Sequence, residues 1–120
     1  VRVLVPRVTE SVCDEPAADE ASSAVLVRSV VAARARQLER AGRLNAQLAV
    51  RELAVHCALT PTCNSLMAAS RRKLALSARS QHRILRVART IADLGACERI
   101  APEHLAEAMQ LRRGWEEATR

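Results

Sequence analysis

LSARSQHRILRVARTIADL, residues 76–94, sets the fold class. Ile84, Val87, Ala88 and Ile91 recur at helical intervals, and Arg79, Arg83, Arg86, Thr90 and Asp93 fall on the opposite side of the same wheel. That pattern is an amphipathic α-helix. Ser77 offers a hydroxyl for the orphan amides of its first turn, and Gly95 supplies the stop.

Working outward, the neighbouring segments carry the same punctuation. Thr60 followed by Pro61 starts a helix that runs to about Leu74, and Pro102 opens a last one carrying Leu105, Ala108 and Met109 through Arg112. A short helix is expected around Val50 to Cys57. Upstream, Ser22 or Ser23 caps a long helix on which Val27, Val30, Val31 and Leu38 share one face and Arg28, Arg36, Glu39 and Arg40 lie largely on the other, ending at Gly42. The expectation is an all-α compact bundle of four to five helices over residues 22–113. Residues 1–8, VRVLVPRV, read as an isolated strand remnant closed by Pro6, which cannot be stable alone. Residues 9–21 read as a flexible acidic linker, and 114–120 as a frayed tail.

Composition limits what such a domain can do. The chain has 120 residues, enough for one core, and Trp115 is its single aromatic residue. The net charge of +6 conceals an asymmetry: from residue 21 onward there are 17 bases against 8 acids. A surface so basic suits nucleic acid, nucleotide phosphate or an acidic partner. Single-strand readout lacks stacking platforms, because Phe and Tyr are absent. No apolar run approaches the ~20 residues of a membrane span, so no membrane role is expected. Cys13, Cys57, Cys63 and Cys97 form no CxxC pair and read as small reduced hydrophobes, which fits a cytoplasmic location.

The chain lacks the short motifs of several enzyme classes. With Gly42, Gly95 and Gly114 as the only glycines, there is no GxxxxGK[ST] to cradle phosphates, nor any HExxH or GxSxG. On its own the chain is not expected to be an enzyme. His56, Cys57 and Cys63 fall short of a four-ligand metal set, so no metal is expected, and His82 and His104 read as solvated. The arginine row on residues 76–94 is ordinarily a solvated face. Arg79 differs, because it stands in the first turn, where the helix dipole disfavours a cation. An anion such as a phosphate approaching that helix end would account for it.

Four strings carry a resemblance: RQLERAGRLNAQL (36–48), RELAVHC (51–57), LSARSQHRILRVARTIADL (76–94) and ERIAPEHLAEAMQLRR (98–113). Together, and in this order, they resemble the C-terminal domain of the magnesium-chelatase-like AAA+ ATPases of the ComM or YifB type. The resemblance implies a helical lid packed over ATP and Mg at subunit boundaries of a ring, usually a hexamer. It implies a P-loop core upstream of Val1, whose last strand VRVLVPRV resembles. It makes Arg79 the sensor-2 arginine directed at the γ-phosphate, with Ser77 and Arg83 beside it as nucleotide-binding candidates. It also implies DNA as a partner of the whole ring, since this branch is associated with branch migration in recombination. Ala75 and Gln81 stand where the family usually has Gly and an aromatic residue. The alternative function is a free-standing basic adaptor for DNA or an acidic protein.

Overall fold

The computed structural model describes the backbone of residues 16–118 and the side chains of 22–112, and it is helical throughout apart from short connections. Five helices follow in order: α1 (Pro16–Ala41), α2 (Val50–His56), α3 (Pro61–Leu74), α4 (Ala78–Leu94) and α5 (Pro102–Ala118), with a single 3-10 turn at Asn45–Gln47 between α1 and α2. Among the described residues no strand is present, only an isolated parallel bridge between Leu59 and Ile100 that ties the loop before α3 to the loop before α5.

The capping chemistry appears where the residues call for it. Thr60 Oγ1 accepts from Cys63 N at 3.3 Å with Pro61 in the first turn, and Ser77 Oγ accepts from Ser80 N at 3.2 Å. Gly42 takes a left-handed φ of 70° and its amide donates to Leu38 O at 2.8 Å, closing α1. Both ends of the bundle are longer than the sequence suggests. α1 begins at Pro16 instead of at Ser22 or Ser23. A proline at the first helical position followed by Ala17, Ala18, Asp19 and Glu20 is a good helix start, with acids at the positive end of the dipole. α5 likewise runs on to Ala118. Residues 1–15, including the strand remnant and the start of the expected linker, lie outside the described residues.

α4 is the central element. It packs along α5 on one side and against α1, the 3-10 turn and α2 on the other. Its apolar stripe enters a core with Leu53, Cys57, Cys63, Met67, Leu76, Ile100, Leu105, Ala108 and Met109, where Ile84 and Ala88 are buried and Val87 and Ile91 partly so. Cys57 and Cys63 are buried, as their reading as small hydrophobes expects, whereas Cys97 is exposed in the α4–α5 connection.

Two non-glycine residues pass through the left-handed region. Ala75 (φ 50°) ends α3, and Leu76 N donates to Arg71 O at 3.2 Å, the six-residue closure of a Schellman motif. At the end of α4 it is Ala96 (φ 56°), not Gly95 (φ −84°), that turns left-handed, with Cys97 N donating to Ala92 O at 2.8 Å. A Cβ in this region costs on the order of 1 kcal/mol, partly offset by the extra freedom glycine gives the unfolded chain. Ala75→Gly and Ala96→Gly are each expected to raise the melting temperature by a few degrees, read by circular dichroism. A lowered melting temperature would show that neither turn is strained.

Thiol chemistry gives a second check. Burial pushes the Cys57 thiol above its ordinary pKa, and its 2% exposure bars reagents. Iodoacetamide at neutral pH is expected to alkylate Cys97 in the folded protein, and Cys57 and Cys63 only after denaturation. Peptide mass spectrometry reads the result, and early modification of Cys57 would contradict the packing of α2 on α4.

Candidate functional site

The candidate site is the start of α4. The left-handed turn at Ala75 reverses the chain out of α3, Leu76 drops into the core, and Ser77 takes extended backbone angles (φ −72°, ψ 161°) as the cap. Ala adopts the conformation usually given to Gly, so the substitution at position 75 leaves the turn in place. Ser77 Oγ serves the cap: it accepts from Ser80 N and donates to Ser80 Oγ at 3.1 Å. Gln81 Nε2 donates to Leu76 O at 3.4 Å and braces the same turn.

Arg79 and Arg83, one helical turn apart, are both exposed, and neither forms an ion pair among the described residues. The last turn of α3 brings Arg71, Arg72 and Lys73, also exposed, to the same turn. No acid stands in the first turn of α4. This edge is therefore strongly cationic, with the first-turn amides of α4 adding their partial positive charge.

The rest of the expected arginine row does something else. Arg86 is half-buried and donates to Leu48 O at 2.9 Å, Thr90 Oγ1 donates to Arg86 O at 2.9 Å, and Asp93 is completely buried. Asp93 accepts from Arg40 through both carboxylate oxygens and from Asn45 Nδ2 at 2.9 Å, and it is ion-paired with Arg89 at 3.1 Å, while its backbone oxygen accepts from Arg36 at 2.8 Å. Only the first two members of the row face solvent. Residues 86, 90 and 93 form a largely buried polar seam joining α4 to α1 and the segment around the 3-10 turn, and Arg89 extends it to the carbonyls of Cys97 and Glu98 in the α4–α5 connection. Sequence reasoning missed Arg89 altogether. Its signal was its place four residues before Asp93, on the side of the helix next to the apolar stripe.

The remaining candidates disperse. His104 Nδ1 accepts from Ala101 N at 2.9 Å and so caps α5, instead of standing free in solvent. Among the described residues no group of three or more His, Cys, Asp or Glu comes together, and no helix is long and apolar enough to cross a membrane.

Fold and site together define a small helical domain with an exposed, arginine-rich helix start. The chain belongs to the family described as magnesium chelatase, subunit ChlI C-terminal, which it matches over residues 20–112. It is 42% identical over 91 residues to competence protein ComM of Haemophilus influenzae, covering 76% of this chain and 18% of that protein. It is 35% identical over 108 residues to YifB of Salmonella typhimurium, covering 90% of this chain and 21% of the relative. YifB of Escherichia coli is 40% identical over 91 residues, covering 76% and 18%. The chain thus spans about a fifth of the length of these curated relatives.

Proposed function

We propose that this domain is the C-terminal lid of a magnesium-chelatase-like AAA+ ATPase. It closes over ATP held by a preceding P-loop core of the same polypeptide and relays nucleotide state to neighbouring subunits of a ring. Hydrolysis of the bound ATP supplies the energy. The observation that carries this reading is Arg79: an exposed cation without an ion-pair partner among the described residues, held by a closed left-handed turn and a serine cap at a helix start.

The cationic edge fits a polyphosphate. Arg79 meets the terminal phosphate, Arg83 adds charge one turn behind it, and Ser77, its hydroxyl serving the cap, fixes the first turn. Magnesium is a different matter. Among the described residues no group of three or more His, Cys, Asp or Glu comes together, and the ion that accompanies ATP would be held by the phosphates and the preceding core. A DNA-remodelling role, with hexameric assembly, belongs to the whole ring and is the functional setting we favour. The adaptor reading rests on overall basic charge, with exposed Arg28, Arg34, Arg51 and Arg99 spread over α1, α2 and the α4–α5 connection.

The test is ATP hydrolysis by the full-length protein carrying Arg79→Ala, with Arg83→Ala beside it. Loss confined largely to the first supports the lid, and wild-type turnover together with wild-type nucleotide affinity in Arg79→Ala overturns it.

A further inference from the structure

α1 is amphipathic the wrong way round. The face turned to α4 is polar: Arg36, Gln37 and Arg40 point inward with Ala33, and Gln37 Oε1 accepts from Asn45 N at 2.9 Å within the seam. The apolar residues point outward. Val27, Val31 and Leu38 recur at helical spacing on the side away from α4 and are 61%, 60% and 52% exposed. Val25 and Leu26 are exposed as well, and nearly every described residue from 22 to 32 is open to solvent, so the first half of this helix stands clear of the body. A separate groove of about 250 Å³ lies between α1 and α4, lined in part by Val30, Ala33, Arg34, Leu44 and Leu94.

A helix that is apolar on its solvent side and projects from its own core is covered in the working protein. Two observations say by what. The matched family is a C-terminal portion, and the chain spans 18–21% of the length of its relatives, so in those proteins most of the polypeptide precedes the corresponding helix. A surface on the first helix, close to that connection, meets the preceding part at the millimolar effective concentration of a short tether. Arg28 and Arg34 flank the stripe and form no ion pair among the described residues, which asks the occupant for carboxylates at its rim.

We infer that the outward stripe of α1, centred on Val27, Val31 and Leu38, is the seat on which the preceding portion of the same polypeptide docks, through an apolar surface edged with acidic groups. The inference rests on the reading of this domain as one attached to a preceding core, and it is independent of any role for Arg79. α1 is then a two-sided beam. Its polar face is locked to α4 by Asp93, and its apolar face is locked to the core, so movement of the core is delivered to α4 and its start.

The test is maleimide labelling of Val31→Cys in the full-length protein with Cys97 replaced by Ser, each rate taken relative to the same site in urea and read by peptide mass spectrometry. Docking is expected to slow native labelling about tenfold or more, with the slowing retained when the protein is diluted to monomers. Smaller slowing overturns the inference, and slowing that disappears on dilution assigns the stripe to a second copy and overturns it too. Circular dichroism of the variant confirms that the helices are intact. ATP hydrolysis by Arg79→Ala is read separately, so the two readings fail separately.

Discussion

Asp93→Ala is expected to remove about 3–5 kcal/mol from the stability of the domain and to lower its urea midpoint accordingly. Asp93 is completely buried and is the one carboxylate among the described residues that meets Arg40, Arg89 and Asn45 together. Truncating it removes the acid and leaves the cations. Arg89 is 3% exposed and would keep only the carbonyls of Cys97 and Glu98, with its Nε already lacking a partner. Removing one member of such a buried set costs about 3–5 kcal/mol, because the stranded charge is worse than the lost attraction. Domains of this size hold only about 5–15 kcal/mol in total.

The variants around it separate charge from shape. Asp93→Asn keeps the volume and an acceptor for Asn45 while losing the charge, and should fall between wild type and alanine. Arg40→Ala should cost less, since the Arg40 side chain is 24% exposed and the carboxylate would retain Arg89 and Asn45. Urea titration followed by circular dichroism gives the order. If Asp93→Ala unfolds at the wild-type midpoint, the seam contributes nothing to stability and α1 is held by other contacts.

That seam also marks where the sequence stopped being legible. Helix positions were readable because their causes are local: Thr60 with Pro61, Ser77, Pro102 and Gly42 act within one turn of themselves. Which neighbour a face meets is a non-local matter. The valine stripe of α1 reads as a core face by periodicity, yet the core is filled without it, and Asp93 draws Arg36 and Arg40 inward from a partner more than 50 positions away. Periodicity ranks the faces of a helix and says nothing about the charge buried on the element it will pack against. Ala75 teaches the converse. An alanine gives no local sign of a left-handed turn, but burial of Leu76 and the cap at Ser77 enforce one. The start of α4 was therefore placed correctly in sequence, while the reason it holds its shape lies in the packing of its neighbours.

Arg79→Ala in the full-length protein is expected to reduce ATP hydrolysis by about two to three powers of ten without altering the fold of this domain. The structural half follows from exposure and position. Arg79 makes no ion pair among the described residues, and the Ser77 cap and the Ala75 turn do not use its side chain. Deleting the guanidinium also removes a cation from the positive end of the helix dipole, a contact unfavourable by a few tenths of a kcal/mol. The melting temperature should stay level or rise slightly. The catalytic half follows from what phosphoryl transfer requires: charge spreads over the equatorial oxygens of the moving phosphoryl group, and a preorganised cation there contributes about 3–4 kcal/mol, as removal of other electrostatic donors does. Arg79→Lys keeps the charge but loses the planar fork and should recover only part of the rate. Arg83→Ala, one turn further along α4 and set back from the helix start, should lower turnover only a few-fold through the general field. Hydrolysis rates at saturating ATP, with nucleotide affinity measured alongside, divide the effect between binding and chemistry. A loss in affinity alone, with turnover intact, would make Arg79 an anchor for the phosphates and leave the cation at the reacting centre to be found on another element.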